Sequence, residues 1–571
     1  MPVGDLIRAH AGDPERAQRV FLRFDDHRIT FAEYYRECCR WAALFLSRRQ
    51  PDKPFHVGIL LDNTPDYLFA LGGAAIAGAV AVGVNNTKRD RYLADDIRHT
   101  DCSFLVTEEK YLAVVAPIIA DTGVDAGHVL VSRRWRNDDE HTAPDDTFVD
   151  LDAALSEFAA AADPNVAVSD RDTLVFLFTS GTITAPKAVV CSHGRLVETG
   201  KNLGAHVYGL TADDFGYLAM PLFHANSLMC GFMVALYYGA GLGMIRKFSK
   251  TRWLDDVRRY GVTFFNYTGK PLAYILSTPS RPDDADNPLR VCFGNEGSHS
   301  VVSEFEARFS CKVIDVFGAS EGGLGVTRQP GDPPNSIGFP APGIIVADEH
   351  GNQRPPARFD ESGRLLNADE CVGELVNTQG TAWFEGYYKN PGATEDRTRR
   401  GWYWSGDLGY RDERGYLYFA GRDIEWLRVD GENFLGRPIE EILHRHADVV
   451  LAAVYGVPDP DGGDRVMAAL LLRDGARFDP ESFARFLDAQ PDLSPKWMPT
   501  YVRLSAQLPQ TATAKVLKNE LRRQKFRPDL CSEPIYWRGR GETAYRPFDR
   551  ADFDALKQRF AVAGKDALLE I

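Results

Sequence analysis

The sequence has no basic excess. Its 571 residues carry 66 Lys and Arg against 80 Asp and Glu, a formal net charge of −14. Nucleic-acid binding needs clustered cations for phosphate contacts, so that partner class is excluded. A phosphate-bearing ligand must meet a local basic site on an acidic body. Cysteine pairing is also absent. The nine Cys are scattered, with no CxxC pair and no Cys/His cluster at zinc spacing. They read as reduced thiols of a cytoplasmic protein. Met1 to His10 has no apolar centre and reads as no secretory leader. Leu568 to Ile571 match no targeting tail. There is no low-complexity tract and no short-period repeat.

One uncharged run, Tyr67 to Val84, has a length near the lower limit for a spanning helix. Gly72, Gly73 and Gly78 interrupt it. It therefore reads as a buried helix running into a buried strand, and no transmembrane segment is expected. Peripheral contact with a membrane and a homodimer are both compatible with this composition.

A chain of this length exceeds one hydrophobic core, so at least two domains are expected. Apolar residues make up 44% and charged residues 26%, as in an ordinary folded protein. Ile29 to Leu46 reads as an amphipathic helix after a short strand, with Thr30 and Glu33 as a capping box. Val57 to Leu61, Ala81 to Val84 and Phe104 to Thr107 read as strands. Asp62 to Val80 and Arg91 to His99 read as helices. This alternation predicts a parallel sheet with helices on its faces, and it recurs between Leu174 and Phe317. Ser336 to Tyr418 differs, with short strands between Gly, Pro and Asp turns. From Ile439 to Ala489 the pattern is that of a compact α+β module of about 100 residues. A tail follows from Phe526 onward.

Leu174 to Phe178 is an apolar strand that runs into Thr179-Ser180-Gly181-Thr182-Ile183-Thr184-Ala185-Pro186-Lys187. Such a turn offers backbone N–H groups, hydroxyls and one cation to a polyphosphate. The GxxxxGK[ST] spacing of a Walker loop is absent. The segment resembles the signature loop of adenylate-forming enzymes, usually Thr-Ser-Gly-Thr-Thr-Gly-x-Pro-Lys. Five further stretches resemble motifs of that family in its order: Pro221 to Ser227, Phe317 to Gly322, Ser405-Gly406-Asp407, Gly421-Arg422 and Pro509 to Lys515. Together they span nearly the whole chain. Within the family the sequence is most similar to acyl-CoA synthetases.

The resemblance implies an α/β fold. Its large N-terminal domain, 1–422, would hold two doubly wound αβ subdomains and a small β-barrel-like subdomain. A small mobile α+β domain, 423–571, would rotate about a hinge near Glu425. It implies ATP, coenzyme A and Mg²⁺, with a carboxylic acid converted to an acyl-AMP and then to a thioester. Glu321 and Thr182 would serve the metal. Thr179, Ser180, Gly181, Thr182 and Lys187 would hold phosphates. Gly318, Ala319 and Ser320 would follow Phe317, which offers its face to the base, and Ser320 would touch the α-phosphate. Gly294, Asn295, Glu296 and Gly297 would line the adenine pocket. Asp407 would accept from the ribose hydroxyls, and Arg422 would add a fixed charge there. Lys515 would donate to the carboxylate and the bridging oxygen. His224 would line the reacting carboxylate. Gly431 would approach the pantetheine arm, with Arg428 and Arg437 near the CoA phosphates.

Three departures stand out. Ile183-Thr184 replaces Thr-Gly in the loop, Ala514 replaces the Gly before Lys515, and Glu425 replaces an Asp. A β-branched residue in place of Gly restricts φ and fills space near the phosphates. Two outcomes stay open. Either the loop adjusts and both half-reactions run, or the chain takes a preformed acyl-adenylate (acyl-AMP) from a partner adenylating enzyme. Phe265 to Lys270, Gly294 to Gly297 and Pro534 to Trp537 resemble the very-long-chain acyl-CoA synthetase and fatty-acid transport branch. That points to a long or bulky hydrophobic acid: a fatty, steroid or polycyclic terpenoid acid. Small residues from Gly239 to Gly243 are expected to leave room for a wide pocket. His224 stands where an amino-acid-activating domain would carry Asp. A non-catalytic adenylate-binding protein would have lost Glu321, Asp407 and Lys515. A luciferase-like oxygenase shares the motifs and is left open.

Overall fold

The computed structural model describes the chain apart from residues 136–146, 180–185, 269–270, 296, 298, 334–335, 360–364, 422–425, 430–431, 461–462, 512–515, 540–541 and 571, and the side chains at 426, 428, 432, 433, 435 and 570. Two large sheets carry the N-terminal part. The seven-stranded sheet runs Val149–Asp150, Val129–Ser132, Phe104–Glu108, His56–Leu60, Val80–Gly83, Thr173–Phe178, Ala188–Ser192. Its pairs are parallel except the last, which is antiparallel. The eight-stranded sheet is parallel in its middle and antiparallel at both edges. Strands His56–Leu60 and Phe104–Glu108 are buried at every position. Helices on both faces of a parallel sheet require that, so these strands read as unbroken apolar runs.

The uncharged run is resolved as helix Pro65–Ala77 followed by strand Val80–Gly83. Gly78 ends the helix with φ 70°, a left-handed cap that a side chain would strain. Every residue of this helix is buried. It crosses helix Phe31–Ser47, whose start carries the expected capping box between Thr30 and Glu33. At the crossing, a Cβ on Gly72 would lie 2.3 Å from Cys38 Sγ, and one on Gly73 would lie 2.6 Å from Trp41 Cβ. The glycines are there for close helix contact. Among the described residues no helix is long and apolar enough to cross a membrane.

The β-rich segment is a four-stranded antiparallel sheet of Ile344–Ala347, Gly373–Asn377, Tyr403–Arg411 and Leu417–Gly421. The C-terminal domain carries hairpin Trp426–Val429/Glu432–Leu435 and a five-stranded sheet. The tail is part of that domain rather than an addition to it. Its strand Ile535–Trp537 pairs with Tyr501–Leu504, and helix Arg550–Val562 buries Phe553, Leu556 and Phe560. All nine cysteines are free thiols. The hinge residues Arg422 to Glu425 lie outside the described residues.

The helix crossing makes a test. Gly73→Leu forces a side chain into the Trp41 contact and should cost about 1–3 kcal/mol by overpacking. A thermal midpoint equal to that of the parent chain would contradict the crossing.

Candidate active site

Strand Lys312–Gly318 ends at the carboxyl edge of the eight-stranded sheet, where open α/β sheets bind ligands. Ala319, Ser320 and Glu321 follow it directly. Glu321 is buried, and its Oε1 accepts from the Tyr387 hydroxyl at 2.7 Å. The Lys187 ammonium lies 5.8 Å over the Tyr387 ring. Burial first, then the Glu321 charge, pushes the Tyr387 hydroxyl well above its usual range, so it stays a donor. The buried Arg195 guanidinium donates to Ser320 O at 2.5 Å and to Val190 O at 3.0 Å. One cation thus ties the turn after Gly318 to strand Ala188–Ser192 of the other sheet. Gly322 has φ 70°, and a Cβ there would lie 2.9 Å from Arg195 Nη2.

Thr179 N donates to Lys187 O at 3.2 Å, closing the neck of the expected phosphate loop. Ser180, Gly181, Thr182, Ile183 and Thr184 lie outside the described residues. So do Glu296, Arg422, Gly431, Ala514 and Lys515, and so does the Arg428 side chain. Asp407 is buried on strand Tyr403–Arg411, and its N–H donates to Ser405 Oγ at 3.1 Å. Gly406 has φ 70°, and a Cβ there would stand 2.2 Å from Arg397 Nη1. Arg397 donates to Trp404 O at 3.1 Å. The Tyr403 hydroxyl has no hydrogen-bond partner although it is buried, and it feels the charges of Glu321, Arg397 and Asp407. An orphaned buried hydroxyl among charged groups fits a site that takes a polar ligand.

The expected adenine wall is built tightly. Asn295 accepts from the Thr268 hydroxyl. Gly297 N and the Tyr267 hydroxyl both donate to Asp315 Oδ2 at 2.8 Å. Burial pushes the Asp315 carboxyl up, and Arg328 opposes that. A Cβ on Gly297 would lie 2.8 Å from Asp315 Oδ2, so glycine keeps this backbone close. Phe317 packs on Phe419 with ring centroids 5.3 Å apart, and Arg437 lies 5.6 Å over the Phe419 ring.

The His224 ring packs tilted against Phe223, with centroids 4.6 Å apart, and its Nε2 has no hydrogen-bond partner. Burial lowers its pKa to about 4, so the ring is neutral at physiological pH. Asn226 donates to Tyr267 O at 2.9 Å and accepts from Asn266 at 2.7 Å. One expectation fails here. The glycines from 239 to 243 open no wide pocket. A Cβ on Gly241 would strike the Phe215 ring at 2.3 Å, and one on Gly243 would meet Tyr260 at 3.0 Å. Aromatic rings fill the space that the small residues leave.

Sequence reasoning missed Tyr387, Tyr403, Arg195 and Arg397. Tyr387 had a weak signal, the Gly386-Tyr387 pair after an apolar run. Arg195 and Arg397 stand in ordinary helices and gave none.

Among the described residues no three His, Cys, Asp or Glu come together to hold a metal. A Mg²⁺ that bridges phosphates needs only one or two protein carboxylates, so Glu321 beside the Tyr403 hydroxyl fits that mode.

Two doubly wound sheets, a small β subdomain and a C-terminal α+β domain around this cluster define a nucleotide-handling α/β enzyme. The chain belongs to the AMP-binding enzyme family, whose model matches residues 8–388, while the AMP-binding enzyme C-terminal domain matches 438–515. It is 43% identical to steroid-22-oyl-CoA synthetase of Rhodococcus jostii (strain RHA1), over 97% of this chain and 99% of that one. It is 41% identical to medium/long-chain-fatty-acid–CoA ligase FadD17 of Mycobacterium tuberculosis (strain ATCC 25618 / H37Rv), over 90% and 94%. The fold is similar to that of the anthranilate CoA ligase AuaEII in complex with anthranoyl-AMP. The TM-score is 0.77 at 21% identity, covering 91% of this chain and 96% of that one.

Two buried imidazoles give a pH test. His193 and His224 both fall to about 4 from 6.5 because burial disfavours the cation. Between those values the unfolded chain binds more protons than the native one, so stability falls as pH drops. His224→Phe should flatten the slope of thermal midpoint against pH in that window. An unchanged slope would contradict the burial of the ring.

Proposed function

We propose that this chain is an AMP-forming acid–CoA ligase that makes the CoA thioester of a bulky hydrophobic acid, with steroid side-chain acids and long fatty acids as its substrate class. The observation that carries the reading is the Glu321–Tyr387–Lys187 cluster beside Ser320 and Asp407. The near full-length similarity to a steroid-22-oyl-CoA synthetase supports the acyl class.

In the first step a carboxylate oxygen attacks the α-phosphorus of ATP and pyrophosphate leaves. In the second, the CoA sulfur attacks the acyl carbon, the thiol proton is lost and AMP leaves. This chemistry needs charge neutralisation and positioning rather than a covalent catalyst. Glu321 would hold Mg²⁺ against phosphate oxygens, with its free lone pairs directed by the Tyr387 hydrogen bond. Ser320, held through its carbonyl by Arg195, would present a hydroxyl to the α-phosphate. Lys187 would supply a cation at the phosphate end, and Asp407 would accept from the ribose hydroxyls. Neutral His224 would lie against the acyl carboxylate without adding charge. Lys515 would donate to the carboxylate and bridging oxygen. On this reading the domain boundary would fall at 422/423, with a hinge near Glu425. The nine free thiols support a cytoplasmic site of action.

A second reading rests on Ile183-Thr184 alone: thioester formation from an acyl-AMP made elsewhere. Pyrophosphate exchange with labelled ATP over a panel of fatty, steroid and diterpenoid acids separates the two. Exchange with the true acid rules out the half-reaction reading, and exchange together with thioester formed from ATP, acid and CoA establishes the full ligase. Thioester formation from synthetic acyl-AMP without exchange establishes the half-reaction, and Thr184→Gly should then restore exchange. No thioester under either condition overturns both. In the full ligase, Glu321→Gln should lower exchange by about 10²–10³-fold, the range for losing one electrostatic stabiliser. A thermal midpoint measured alongside checks that the variant folds.

A further inference from the structure

Besides the Arg437–Phe419 contact, the C-terminal domain meets the N-terminal domain at a second corner. Helix Pro271–Leu276 follows strand Phe264–Thr268, and helix His299–Phe309 packs beside it. Ala273, Tyr274 and Val301 lie against the C-terminal core that holds Val450 and Tyr455. Polar contacts surround this small apolar patch. The Tyr274 hydroxyl donates to Gln510 Oε1 at 2.6 Å. Lys250 donates to Ser277 Oγ in its own domain at 3.1 Å and pairs with Asp474 across the interface at 2.8 Å.

Arg473 is the centre of the corner. Its Nε donates to Ala447 O at 2.8 Å and its backbone N to Asp448 O at 2.9 Å, which anchors it in the C-terminal sheet. Its Nη1 then reaches Leu276 O at 2.9 Å, and its Nη2 pairs with Glu304 at 2.9 Å. Leu276 ends helix Pro271–Leu276, where carbonyls lack intrahelical partners and the helix dipole is negative. A guanidinium of one domain therefore joins Arg308 of the other, whose Nη1 donates to the same carbonyl at 3.2 Å, in capping that helix. Arg spreads five donors over a fixed planar fork and so reaches three separated acceptors at once, whereas the three donors of a Lys radiate from one nitrogen.

We infer that Arg473 is a positioning residue, a cap donated across the domain interface that holds the C-terminal domain in its adenylating orientation. The inference rests on the two-step reading proposed above. In this orientation Gln510 is bonded to the helix that follows the site strand carrying Thr268, and in sequence Lys515 comes soon after Gln510. The strength of the contacts suits a reversible hold. Ion pairs between half-exposed side chains contribute little singly, and these are Arg473–Glu304 and Lys250–Asp474. Such a corner can release when the domain turns for the second step.

The test compares half-reactions and adds a readout that needs no turnover. Arg473→Ala and, from the other side, Glu304→Ala should lower pyrophosphate exchange by about three- to tenfold, the usual size of a coupling of this kind. Thioester formation from supplied acyl-AMP should fall less than about twofold, because that step does not use the cap. Arg473→Lys keeps the charge but not the fork and should behave like the Ala variant. Lys250→Glu and Asp474→Lys should each weaken exchange, and their combination should restore it. Hydrogen–deuterium exchange of the amides in 271–276 should quicken in both Ala variants. Equal loss in both half-reactions, or unchanged amide exchange, would overturn the inference. If the parent chain shows no thioester or pyrophosphate exchange with any acid, the ligase reading fails, while amide exchange still reports on the cap.

Discussion

The hydrogen bond from Tyr387 to Glu321 is the contact around which the site is organised. It joins residues far apart in sequence at the carboxyl ends of the two large sheets. A carboxylate buried beside a tyrosine keeps lone pairs for a cation while one is satisfied by the protein. Arg195 makes the same join from below, through Ser320 O and Val190 O. Because the Tyr387–Glu321 bond and the Arg195 side chain are buried, losing a partner of either would leave an unsatisfied polar group, which costs more than the bond is worth in isolation. Each sheet's position therefore depends on the other's.

The charge distribution follows from that geometry. The chain is acidic overall, yet Lys187, Arg195 and Arg397 gather around one glutamate and one aspartate. Surface acidity at a distance is screened beyond about 10 Å in ordinary salt. The local cations act over shorter range in a less polar setting. An acidic protein can thus hold an anionic ligand without attracting polyanions at large.

Much of the fold was legible because parallel strands buried on both faces must be apolar throughout. Val57 to Leu61 and Phe104 to Thr107 read as strands for that reason, and the structure forms them as His56–Leu60 and Phe104–Glu108. The capping box at Thr30 was legible because its side-chain and backbone partners lie only three residues apart. Glu321, Ser320 and Asp407 stood out in the sequence because short motifs carry them. Tyr387, Arg195 and Arg397 were not, since their meaning comes from contacts that only the tertiary fold creates. The glycines from 239 to 243 misled for a related reason. Absence of a side chain at one position says nothing about which ring from another strand occupies the space.

That last point constrains where a bulky acyl group can go. If Phe215 and Tyr260 fill the space around Gly241 and Gly243, room must come from another wall. After His224 comes the short turn Ala225–Ser227 and then a π segment, Leu228–Phe232. A second π segment, Gly204–Tyr208, lies across from it, and the Tyr208 hydroxyl donates to Cys230 O at 2.9 Å. π segments widen a helix and leave backbone carbonyls without regular partners, which is why they gather at functional sites. A single tyrosine pins the two widened turns together. The ring of the same Tyr208 packs against Phe264 and Phe293 of the strands that lead into the site. A wall of helical turns can shift by a fraction of a turn, whereas a packed sheet cannot.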